Sequence, residues 1–229
     1  MTITRIQLLP VIELVPADFS THTRTSPIAG IPEFQDEWTR YWSDSLADSG
    51  ITGLRPISPS SWHVATSEFR HSLMLEPVLS VIFDQWGGVQ TLNDPDSKPV
   101  LDGGLALLDS DGHLLVEPHC CGDLGDLRDW QEAARYTGTA WQMLWIGHPW
   151  LSVRFERGQL VISAPHESND PVAKWAVDPD DLERAVRVAA AELHRFSELV
   201  VPFLSSHGFQ GNAHAMAETL VGLTPAYTL

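Results

Sequence analysis

Apolar residues recur along this chain in two rhythms, one with the period of a helix and one with that of a strand. Phe34, Trp38, Tyr41, Trp42 and Leu46 share one helical face. They predict a helix over residues 32–46, opened by Pro32 and ended before Gly50. The strongest stripe is Leu182, Ala185, Val186, Ala189, Leu193, Phe196, Val200 and Phe203. It predicts a long helix over 178–206, with Asp178 as N-cap, Pro179 in the first turn, Asp180 and Asp181 complementing the dipole, and Pro202 a candidate kink. Shorter helices are expected over 77–86, between Pro77 and Gly87-Gly88, over 125–136 from near Asp126, and over 212–220.

Strand signals fill the middle of the chain. Residues 103–108 and 113–117 flank Ser110-Asp111-Gly112, and residues 150–156 and 159–164 flank Arg157-Gly158. Both pairs read as hairpins. Residues 141–146 read as a strand, and 3–15 as one or two short strands around Pro10. Residues 62–75 predict an extended entry followed by helix or strand. Residues 16–31 and 53–61, and the polar segment holding Glu167 and Asp170, read as loops, and 89–100 as a loop or a short edge strand. A strand and helices, then hairpins, then helices make an α+β pattern. The expected fold is an antiparallel sheet built from hairpins with flanking helices and a long C-terminal helix, in a single domain over residues 1–229.

Composition narrows the function. A hydrophobic fraction of 43% in 229 residues, with nine Trp and eight Phe, supplies a sizeable core. No apolar run approaches the roughly 18 residues that span a bilayer. Residues 1–16 carry Arg5, Glu13 and two prolines and do not read as a signal peptide. The formal net charge is −16, with 14 Lys and Arg in no cluster. Most of that charge reads as solvated surface; it argues against nucleic-acid binding, because a phosphate backbone needs clustered cations, and an acidic face can also receive a basic protein partner. The only cysteines, Cys120 and Cys121, are adjacent, so no ordinary intrachain disulfide is expected, as in a reducing, cytoplasmic compartment.

The chemistry-bearing stretch is 117–126: Glu117, His119, Cys120, Cys121, Asp123 and Asp126. Imidazole, thiolate and carboxylate are the ligands of zinc and its neighbours. Adjacent cysteines diverge along an extended backbone, however, and a mononuclear site would need a distant His148 or His166. His148, in Trp145-Ile146-Gly147-His148-Pro149-Trp150, could alternatively serve as base to a Cys121 nucleophile, with Asp123 as orienting carboxylate. The competing reading is structural. Cysteine is among the most buried residue types, Gly122 and Gly125 permit a tight reversal, and Asp123 or Asp126 can cap the helix carrying Trp130. That strand-to-helix turn is the expected reading. Asp109, Asp111 and Gly112 match only a fragment of a calcium loop and read as a hairpin turn. Phosphate-loop, dinucleotide, metalloprotease and nucleophile-elbow motifs do not occur in the sequence.

Trp86-Gly87-Gly88, then Gly103-Gly104-Leu105-Ala106-Leu107, then Cys121-Gly122-Asp123-Leu124-Gly125-Asp126-Leu127 with Trp130, resemble the pattern of bacterial SUKH-type domains over residues 70–165. The Trp145–Trp150 segment fits the same group less specifically. The resemblance implies an α+β domain that binds another protein and has no active site. Many such domains look like immunity proteins that neutralise a toxin, often a nuclease with a basic surface. The expectation is therefore a non-enzymatic, immunity-like protein-binding module with an acidic surface, a basic partner, no catalytic residue, no metal and no cofactor. The alternative is a metal- or thiol-dependent hydrolase centred on His119, Cys121, Asp123 and His148.

Overall fold

The computed structural model describes residues 2–3, 5–28, 31–94 and 99–223. Part of the 89–100 loop therefore lies outside the described residues. Two sheets carry the fold. The first runs β3 (His63–Ala65), β2 (Gln7–Glu13), β4 (Gly103–Leu108), β5 (Leu114–Val116), all antiparallel. The second runs β1 (Thr2–Ile3), β9 (Ala173–Val177), β8 (Gln159–Ser163), β7 (Leu151–Glu156), β6 (Gln142–Leu144). Its pairings are antiparallel except β1 with β9, which is parallel. The α+β class, the hairpins and the long C-terminal helix stand as expected, but the strands divide between two sheets.

Both expected hairpins form on residues suited to their turns. Arg157 and Gly158 take φ of 52° and 82°, the mirror-image turn geometry that matches strand twist. At the other tip, Asp109 Oδ1 accepts the N–H groups of Asp111 and His113, each at 2.9 Å.

Among the described residues, six helices pack around the sheets: α1 (Pro16–Phe19), α2 (Gln35–Asp48, entered through a 3-10 turn at Pro32–Phe34), α3 (Ser72–Gln85), α4 (Leu127–Ala134), α5 (Pro179–Ser206) and α6 (Ala213–Leu220). All eight residues of the predicted α5 stripe are buried. Asp178 Oδ1 accepts the Asp180 N–H at 2.8 Å, and the helix runs through Pro202 to Ser206. It packs on β2, α3, α4 and α6, so it ties the first sheet to the helical layer. The buried apolar residues of both sheets and of the helices form one continuous cluster. Trp38, Trp130, Phe69, Phe83 and Phe196 are its largest fully buried members, each stabilising the fold by roughly 2–3 kcal/mol.

Helix α1, over Pro16–Phe19, forms in a segment expected to be loop, with Pro16 at its first position and Pro16 and Phe19 buried; α3 and β9 also differ from the sequence expectation. The helix expected from Pro77 begins at Ser72, with Pro77 inside it. Leu75, Val78, Leu79 and Phe83 form one buried face, which carries the helix back past the proline. Pro77 withholds only the N–H that would meet the Leu73 carbonyl, and Leu73 is exposed. Strand β9 falls in a segment with no strand expectation; Trp175 and Val177 face the core while Ala173 and Lys174 are exposed. Among the described residues, no helix is long and apolar enough to cross a membrane.

Candidate functional site

Residues 117–126 form the crossing point of the two sheets. After β5 the chain lies antiparallel to the segment leading into β7. The His119 N–H donates to the Ile146 carbonyl at 2.8 Å, and the His148 N–H donates to the Cys120 carbonyl at 3.0 Å. Gly147 makes this approach possible, because a Cβ there would collide with the carbonyl oxygens of His119 and Cys120. The chain then reverses at Cys121, whose φ is +67°. The Gly122 N–H closes the turn onto the His119 carbonyl at 3.1 Å, and the Gly122 carbonyl accepts the Gly103 N–H of β4. Asp123 Oδ1 accepts the Gly125 N–H at 2.7 Å and caps the 3-10 turn that opens α4. The strand-to-helix turn is therefore as expected, with Asp123 rather than Asp126 as its cap.

The four candidate residues occupy this turn but face different surroundings. His119 is half-buried, and burial lowers its pKa. Cys121 is exposed, and so is Cys120, contrary to the usual burial of cysteine. The Cys121 thiol is pushed up, first by contact with the Cys120 thiol and also by the negative charges of Asp102 and Glu13. Asp123 is half-buried, and burial raises its pKa. The His148 ring is exposed and packs edge-on between Trp145 and Trp150, at centroid distances of 4.7 and 5.5 Å. Its hydrogen bonds to the cysteine pair run through main chain, the Cys120 thiol donating to the His148 carbonyl at 3.5 Å. Among the described residues, the one trio of His, Cys, Asp or Glu close enough to share an ion is Asp109, Asp111 and His113. It lies at the β4–β5 hairpin tip, where Asp109 already accepts turn hydrogen bonds. His119, Cys121, Asp123 and His148 thus do not converge on one point.

Beneath the turn lies a polar network that sequence spacing concealed. Glu117 accepts from His63 Nδ1 at 2.8 Å, from Ser61 Oγ, and from Ser58 Oγ at 3.4 Å. His63 is buried and sits opposite Glu13 in the β2–β3 ladder. The sequence signal was one acidic residue, Glu13, at the end of an apolar strand. These donors outweigh burial and hold the Glu117 carboxyl below its ordinary 4.5. A carboxylate lowered on folding contributes stability above pH 4.5 that is lost as pH falls through the folded value. Glu117→Gln is expected to cost about 1–3 kcal/mol at neutral pH, because its amide turns donors toward donors. Urea unfolding at pH 7 and pH 4 checks this, the difference from the parent shrinking at the lower pH. An unchanged midpoint at pH 7 would refute it.

The other side of the turn opens into a groove of about 610 Å³. Its walls include Met143 of β6 and Trp145 just beyond it, His194 of α5, and Asp123, Arg128 and Asp129 around the start of α4. Burial raises Asp129 as it raises Asp123, and each carboxylate also repels Asp126. Asp126 is buried, with Oδ2 unpartnered among the described residues and lying against Gly104 and Gly122. Burial pushes its carboxyl up to about 9. From Trp145 a row of edge-packed rings continues through His148, Trp150 and His166, the last pair 5.8 Å apart. Each ring is at least partly exposed.

Comparison with protein-family models, with characterised proteins and with solved structures gives no match to this chain.

Proposed function

We propose that this chain is a non-enzymatic protein-binding module of the immunity type, which receives a basic segment of a partner protein in the groove beside β6. The observation that carries this reading is the meeting of crowded carboxylates with exposed aromatic and thioether surface. Asp123 and Asp129 line a groove whose outer wall is Met143, 53% exposed, and Trp145. Aromatic anchors and Met are the side chains enriched where proteins bind one another, and opposed charge steers the encounter. A net charge of −16 favours a cationic partner and disfavours a nucleic-acid backbone. The resemblance to SUKH-type domains agrees with a partner of that kind.

The hydrolase reading is less well supported. A nucleophilic cysteine needs its thiol pKa lowered by positive neighbours, whereas the Cys121 thiol is raised, first by the neighbouring Cys120 and then by burial and the acids Asp102 and Glu13. His148 is engaged with tryptophans rather than with the thiol.

The test uses the full chain as bait in extract of its source cells, beside a variant carrying Asp129→Lys and Trp145→Ala. The parent is expected to retain a partner that elutes as salt rises. The variant, folded by circular dichroism, is expected to bind that partner at least about 30-fold more weakly, as loss of a tryptophan hot spot implies. Equal binding by the variant, or no salt-sensitive partner for the parent, would count against the reading.

A further inference from the structure

Strand β6 ends the second sheet, and among the described residues no strand lies on its far side. Its register shows which main-chain groups that leaves open. In an antiparallel ladder, pairs that exchange main-chain hydrogen bonds alternate with pairs that do not. Met143 stands opposite Ser152 of β7. The Ser152 N–H points away from β6, donating to Ser163 Oγ of β8 at 2.8 Å. The Phe155 N–H, in the opposite phase, points to the β6 side and donates to the Gly138 carbonyl at 2.7 Å. Met143 and Ser152 are therefore a non-bonded pair, and the Met143 N–H and C=O face outward from the sheet. Gln142, Met143 and Leu144 carry no charge and no proline, devices that commonly close an edge to other chains. The groove takes Met143 and Trp145 into its wall but not Gln142 or Leu144, so it lies on the face of the odd-numbered residues. Asp123, Asp126 and Asp129 line the same groove.

We propose that the groove takes its basic partner as an added β-strand: an extended segment with lysine or arginine at every second position, paired main chain to main chain with Met143. The spacing follows from the pleat. The residue opposite Met143, and those two away on either side, share its face, where the carboxylates lie. The residues between them turn to the other face. Main-chain bonds hold such a strand whatever its sequence, and the side-chain surroundings select it. Charge disfavours a second copy of this chain as the added strand, since each copy brings a net charge of −16. This proposal rests on the protein-binding reading and adds the form in which the segment binds.

The probe is a seven-residue peptide with blocked ends, lysine at its odd positions and threonine at its even ones, titrated into the full chain at low salt by calorimetry. Two further peptides carry main-chain N-methyl groups on the inner lysines or on the inner threonines. A strand offers its N–H groups to β6 from one phase only. Methylation of that phase is expected to weaken binding about tenfold, and methylation of the other to leave it unchanged. Sensitive lysines mark an antiparallel addition, and sensitive threonines a parallel one. In the protein, Met143→Pro removes the outward N–H and Met143→Ala keeps it. Proline is tolerated on an edge strand at such a position, and the pairing of Gln142 and Leu144 with β7 remains. Met143→Pro is expected to bind the parent peptide about tenfold more weakly than Met143→Ala. Equal affinity for all three peptides would overturn strand addition. If Asp129→Lys with Trp145→Ala still weakened that binding, the groove reading would stand without it. A peptide that fails to bind the parent chain, or binds it and the groove variant alike, would count against both. A dimer of the chain that Met143→Pro dissociates, with no peptide bound, would give the edge to a second copy and overturn the proposal. The methylated peptides are read on the parent chain, so a misfolded proline variant does not blunt the test.

Discussion

Asp126→Asn is expected to make this chain more stable, by about 2 kcal/mol at pH 7, and to flatten the dependence of its stability on pH. Asp126 is 4% exposed, its Oδ2 is unpartnered among the described residues, and its carboxyl is pushed up to about 9 from an ordinary 3.8. Burial is the main cause, and repulsion from Asp123 and Asp129 adds to it. Between pH 3.8 and about 9 the folded chain holds a proton here that the unfolded chain has released. A group raised on folding in this way imposes no penalty below the lower value. Above it, stability falls by about 1.4 kcal/mol per pH unit until the folded group ionises. At pH 7 that penalty is on the order of 4 kcal/mol. Asparagine has the shape of the protonated acid and no proton to lose, although its extra buried N–H offsets about 1–3 kcal/mol of the gain. Urea unfolding at pH 5, 7 and 8.5 measures the effect. The parent curve should fall with pH more steeply than that of the variant, and parallel curves would refute the assignment.

The same carboxyl connects stability with the proposed binding face. Asp123, Asp126 and Asp129 each carry a raised pKa, and the repulsion that its two neighbours exert on Asp126 would be relieved by a cation in the groove. A basic segment bound there would lower these values and release protons. Only the repulsive part of the energy that Asp126 withholds from folding would be returned by a positively charged partner in the proposed groove, because burial, the larger cause, would remain.

What the sequence disclosed follows from how local each signal is. The α5 stripe repeats along the whole helix and is capped by its own residues, so it was legible in full. The Arg157-Gly158 hairpin was legible because its turn residues and both strands are contiguous. Strand β9 was not, because five residues with two exposed show little alternation until β8 supplies the partner. The parallel pairing of Thr2–Ile3 with Ala176–Val177 has no local signal at all. At the site, a capping aspartate was legible as Asp123 or Asp126, and only the Gly125 N–H on Asp123 Oδ1 decides between them. The His63–Glu117 pair, 54 residues apart, had no such cue. The exposure of Cys120 and Cys121 ran against residue-type preference, because main-chain contacts of glycines, and not side-chain packing, build that turn.

Gly147→Ala is expected to be the most disruptive single change at the turn, costing about 3 kcal/mol or more. Two effects add. Gly147 has φ of +97°, where any L side chain is strained by about 1–2 kcal/mol. The new methyl would also meet the His119 and Cys120 carbonyls, which are main-chain atoms that cannot rotate aside. Relief requires the two strands of chain to part, which breaks the His119–Ile146 and His148–Cys120 hydrogen bonds. Gly158→Ala separates these effects, since Gly158 has φ of +82° but nothing within 4 Å of the place its methyl would take. That change should cost only the backbone strain, about 1 kcal/mol. The difference in urea midpoint between the two variants isolates the contact between the sheets. Equal losses would mean that the crossing yields easily and that the turn is held from the Gly122 side alone. A large difference would place its rigidity at Gly147, the position that aligns the cysteine pair with the ring row of Trp145, His148 and Trp150.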